Sequence, residues 1–86
     1  MAQHSLTVAT VIRAGDTTAL VSLPEWCGGV ILVHVPTRML TAETCLSRRD
    51  LPGVRLYVRA RLTAATERDL DLQQWSLDVS QARTAA

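Results

Sequence analysis

Nine residues near the middle of the chain, Val54 to Leu62 (VRLYVRARL), alternate without a break between two kinds of side chain. Successive residues of a β-strand point to opposite faces, so Val54, Leu56, Val58, Ala60 and Leu62 share one side. Arg55, Tyr57, Arg59 and Arg61 share the other. A strand with one apolar and one basic face requires a sheet that packs a core behind it and stays open in front. A helical period would scatter the same residues around its axis.

The segments around this strand carry weaker versions of the same signal. Ser5 to Arg13 is rich in β-branched residues and reads as a first strand, and Thr17 to Leu23 as a second. The Ala14-Gly15-Asp16 turn between them makes a hairpin, and Pro24 ends it. Glu25-Trp26-Cys27-Gly28-Gly29 reads as a loop. Val30 to Val35 is nearly continuous in apolar residues and predicts a central third strand, ended by Pro36. Met39, Leu40, Ala42, Cys45 and Leu46 are spaced for a short helix within Thr37–Arg49. Thr37 or Thr41 is the expected cap, and Arg48 and Arg49 lie at the negative pole. Leu70 to Val79 predicts a fifth strand, after a turn at Thr66–Asp69. Its apolar side switches between Leu70/Leu72 and Trp75/Leu77/Val79, the mark of a bulge or bent corner.

The order strand, strand, strand, helix, strand, strand predicts a mainly β fold, a small five-stranded OB-fold-like barrel with its helix between strands 3 and 4. Closure of the barrel would hide the strand edges. At 86 residues there is room for one domain, placed at residues 1–80 with 81–86 as a flexible tail. No apolar run reaches the length of a membrane span, and the first residues lack signal-peptide character, so the expected location is cytoplasmic. All nine basic residues are arginine, as expected from a GC-rich bacterial genome or from selection for the planar guanidinium fork that binds phosphate, and the formal net charge is only +1. Where the charges lie therefore matters more than their sum.

Several of these segments resemble one known family, the RNA-binding OB domain repeated in the largest small-subunit ribosomal protein of bacteria. Polynucleotide phosphorylase and ribonuclease E carry it too. Val8-Ala9-Thr10-Val11 is similar to its opening strand, Ala19-Leu20-Val21-Ser22-Leu23 to its second strand and Leu32-Val33-His34-Val35 to its third. Pro52-Gly53-Val54-Arg55-Leu56-Tyr57-Val58 resembles the approach to its fourth strand, and Leu70-Asp71-Leu72 occupies the place of its Ile-Ser-Leu. The resemblance spans about residues 6 to 78 and implies an OB fold that binds RNA, with His34 facing the nucleic acid. The family's aromatic platform on strand 2 is replaced here by Thr17-Thr18-Ala19-Leu20, and Pro36 stands in place of a serine.

Two functions follow from the residues. The first is a single-stranded nucleic-acid binder, RNA before DNA. Arg55, Arg59 and Arg61 would sit on phosphates, and Tyr57, His34 and Trp26 against bases. The second is a protein-interaction module, either a homo-oligomer or an accessory subunit, for which the missing aromatic platform and an exposed Trp26 would speak. Trp26 can also fold back over the barrel mouth, and Trp75 belongs to the core. Cys27 and Cys45 lack metal-ligand spacing and are expected as free thiols, so neither a metal nor a cofactor is expected. Asp69 and Asp71 can share one side of a turn-to-strand junction, where such acids ordinarily keep the strand end solvated. No nucleophile triad or phosphate loop is visible, so no enzyme is expected.

Overall fold

Strand β1 (Ser5–Ala14) is the longest element, and two neighbours divide it between them. The computed structural model describes residues 4–77. In it the first half of β1 pairs antiparallel with β4 (Arg55–Ala60), from Ser5 opposite Ala60 to Thr10 opposite Arg55. The second half pairs with β2 (Thr18–Ser22), from Thr10 opposite Ser22 to Ala14 opposite Ala19. The register slips between Val11 and Arg13, leaving Ile12 as an extra residue. A bulge of this kind bends a strand and increases its twist, which lets β1 turn from one half of the sheet into the other.

Strand β2 pairs with β3 (Val33–Pro36) and β4 with β5 (Gln73–Leu77), giving the order β3-β2-β1-β4-β5. One helix, α1 (Thr37–Thr44), lies between β3 and β4. The five antiparallel strands curl into a half-barrel, in the OB-like order that the sequence predicts. The closure is incomplete. β3 and β5 are the two edges of the sheet and do not pair with one another.

The predicted inner face of β4 is the core, with Leu56, Val58 and Ala60 fully buried. Ala9 and Val11 of β1, Ala19 and Val21 of β2, and Val33 and Val35 of β3 join them from the concave side. Leu40 of α1 and Leu51 and Leu70 of the connections fill the ends. The β1–β2 turn needs Gly15 for space, not for an unusual φ. Its N–H donates to the Thr18 carbonyl at 2.9 Å, and a Cβ there would lie 2.9 Å from the same oxygen.

Local backbone geometry shortens three elements. The predicted third strand loses Val30 to Leu32, because Cys27–Gly29 forms a 3-10 turn with Gly28 and Gly29 at positive φ. Val30 and Ile31 are left exposed behind it. The helix ends at Thr44, not Arg49, since Cys45 adopts a left-handed φ of 59°. Neither threonine caps it. Thr37 instead ties the helix start to the β1–β2 turn, its Oγ1 donating to Gly15 O at 2.8 Å, while Thr41 donates to Arg38 O. Strand 5 begins at Gln73 because Leu70 sits in a further 3-10 turn, Glu67–Leu70, and Asp71 is left-handed. The bulge expected in it is present at Gln74, whose φ is 55°, where the register slips between Tyr57 and Arg59. The expected tail, 81–86, lies outside the described residues.

Among the described residues no helix is long and apolar enough to cross a membrane.

Candidate functional site

Alternation carries Arg55, Tyr57 and Arg59 to the convex face of β4, with the buried residues of the same strand behind them. The register gives each its neighbours. Thr10 lies opposite Arg55; Val8 and Ser76 flank Tyr57; Leu6 and Gln73 flank Arg59. None of these named register partners is charged. Arg55 and Arg59 are exposed and Tyr57 is half-buried, so the ring lies low between two raised guanidiniums. Among the described residues Arg59 forms no ion pair.

Arg13, which sequence reasoning did not select, belongs to the same face. It lies just past the bulge on β1, opposite Leu20, and is exposed. A wider pattern emerges with it. The described strands contain three arginines, Arg13, Arg55 and Arg59, and no aspartate or glutamate. The acids among the described residues lie in turns, connections and the helix. The net charge of +1 conceals this segregation, and it emerges only once β5 is seen to begin after Asp71.

The other expected site residues are not brought beside these arginines. His34 is on β3, and β2 and β1 stand between it and β4. Three strand spacings of about 4.8 Å put the two strands roughly 14 Å apart along the curled sheet. His34 is also engaged. Its Nδ1 lies 3.1 Å from Glu67 Oε2, and its backbone N–H donates to the same oxygen at 2.7 Å. The Glu67 carboxylate thus sits where the next strand would be, and it closes an edge donor of β3. His34 therefore cannot join Tyr57 and the β4 arginines against one stretch of bases, contrary to what the sequence leads one to expect.

Trp26 takes the expected fold-back alternative and not the base contact. The ring is 3% exposed, and its Nε1–H donates to Ala64 O at 2.9 Å. It staples the β2–β3 connection to the β4–β5 connection and offers no face to a base. Arg61 falls beyond the end of β4, half-buried, with its Nε buried and unpartnered among the described residues. It is not one of the raised arginines. Trp75, expected in the core, is half-buried against it.

The gap between the edges of β3 and β5 forms an open groove of about 870 Å³. Val35, Pro36, Met39, Leu72 and Trp75 give it an apolar floor, and Glu67, Asp69 and Asp71 line it against Arg68. Its carboxylates are already committed within the chain. Asp69 accepts from Thr66, and Asp71 lies 3.0 Å from His4 Nε2 and accepts from Gln73. No group of three or more His, Cys, Asp or Glu side chains that could hold a metal ion occurs among the described residues. Cys27 and Cys45 are free and exposed.

Comparison with protein families, curated proteins and solved structures finds no match to this chain.

Proposed function

We propose that this chain is a non-catalytic domain that binds single-stranded nucleic acid on the convex face of β1 and β4. The observation that carries the reading is the charge segregation. Every charged residue in the described strands, His34 apart, is an arginine on that face. Arginine pairs with phosphate through a planar fork and stacks on bases, and Tyr57 adds one ring between two such groups. The preference for RNA over DNA comes from the resemblance of segments 8–11, 19–23, 32–35 and 52–58 to the RNA-binding OB domain. The groove beside β5 is the wrong place for a polyanion, since its rim is acidic.

The test is anisotropy of a labelled single-stranded oligonucleotide across a salt series. Three arginines on phosphates give a slope of log affinity against log salt of about −2, at roughly −0.7 per phosphate. Affinity should then fall about 20-fold between roughly 50 and 200 mM salt. Arg59→Ala should weaken binding and reduce the slope by about 0.7, while Arg38→Ala on the helix should do neither. A slope indifferent to Arg59 refutes the site.

A protein-interaction module is the second reading. Leu6 and Ile12, 58% and 49% exposed, lie beside the arginines, and a protein partner would cover them. Absence of oligonucleotide binding at low salt leaves that reading in place.

A further inference from the structure

Resting on the nucleic-acid reading above, we infer that the bound strand runs lengthwise along the β1–β4 ladder, not across the sheet, and that carboxylates close the site at both ends. Such a site holds about four nucleotides, the low end of the range for one OB fold.

The direction follows from the placement of the cations. Arg55 and Arg59 are four residues apart on one strand, about 13 Å at roughly 3.3 Å per residue. Arg13 continues the row on β1, three residues past the Thr10 that faces Arg55, with one residue taken up by the bulge. The row is about 20 Å long. A strand lying along it meets three guanidiniums, the Tyr57 ring, and the apolar side chains of Leu6, Val8 and Ile12. A strand lying across the sheet meets far less. On one side of the row stand Thr18, Leu20 and Ser22, then His34 bound to Glu67. On the other, among the described residues, stand Gln73 and Ser76.

The ends follow from the acids. Beyond Arg13 the chain turns through Asp16, whose carboxylate is 85% exposed and pairs with Arg48 at 2.7 Å. At the other end Gln73, the register partner of Arg59, follows Asp71 by two residues. The Asp71 side chain is 54% exposed and sits 3.0 Å from His4. A phosphate placed past either terminal arginine would approach one of these carboxylates. One ring per site also permits one stacked base, so base selectivity is weak.

The experiment measures affinity at low salt for labelled oligouridines from dimer to dodecamer, on the wild-type chain and on Arg13→Ala and Asp71→Asn. The expected result is a steep rise to about the tetramer, and beyond it only the gain from the number of registers available. Arg13→Ala should weaken the tetramer several-fold. Asp71→Asn, which can keep its hydrogen bonds, should leave the tetramer unchanged and strengthen the octamer. Affinity that climbs steeply from octamer to dodecamer, or a tetramer indifferent to Arg13, overturns the lengthwise closed site while the binding reading stands. No binding of any length overturns both.

Discussion

Trp26 is the residue whose removal best tests the assembly of this half-barrel. Its ring is buried where the β2–β3 and β4–β5 connections meet, and its indole N–H holds a carbonyl 38 residues away. Truncating a buried tryptophan to alanine costs about 3–5 kcal/mol, from lost contact and the void left behind. A domain of this length has a total stability of about 4–13 kcal/mol at roughly 0.05–0.15 per residue. Trp26→Ala therefore removes a large share of it. Trp26→Phe separates the two contributions. It keeps most of the apolar contact and loses the hydrogen bond to Ala64 O, a loss of about 1 kcal/mol, or somewhat more if the carbonyl finds no water. The assay is urea unfolding followed by far-ultraviolet circular dichroism, since fluorescence itself changes with the substitution. The expected order is wild type, then Phe, then Ala, with the Phe variant about 2–3 kcal/mol above the Ala variant. An alanine variant within about 1 kcal/mol of wild type, the ordinary range for a surface change, refutes the staple. So does a folded Phe variant that loses oligonucleotide affinity, because the indole would then be a ligand contact.

Two other substitutions test separate features. Thr7 is 2% exposed on the inner face of β1, and its Oγ1 has no partner among the described residues. Thr7→Val should stabilise the chain by about 1 kcal/mol in the same urea assay, and a comparable destabilisation would reveal a hidden partner for the hydroxyl. Glu67→Ala should free the His34 N–H on the edge of β3 and promote concentration-dependent self-association in sedimentation. A strictly monomeric variant up to high concentration rules out that protective role.

The parts of this molecule legible in its sequence are those set by short-range alternation. Val54 to Ala60 declared both its faces because each residue obeys the period of two, and the structure buries one set and raises the other. The β1–β2 hairpin was legible because Gly15 and Asp16 interrupt two β-branched runs. The start of β3 was not, since Val30-Ile31-Leu32 continues the apolar run while backbone geometry at Cys27 to Gly29 delays the strand. The candidate site divides in the same way. The partners of Trp26 and His34 lie 38 and 33 residues distant, and no local pattern marks Ala64 or Glu67 as their counterparts. Arg13 was missed because a bulge, not the strand period, sets its direction.

The sharing of β1 has a kinetic meaning. Its second half finds β2 a few residues downstream, but Ser5 to Ala9 must wait for Leu56 to Ala60, about fifty positions later. Joining such remote segments is an entropic toll levied before any reward arrives, so the β1–β4 zipper governs how fast the molecule can form. Until then the inner side chains Thr7 and Ala9 and the outer row of arginines belong to no surface at all. The face proposed to meet nucleic acid comes into being only when the slowest junction of the sheet is made.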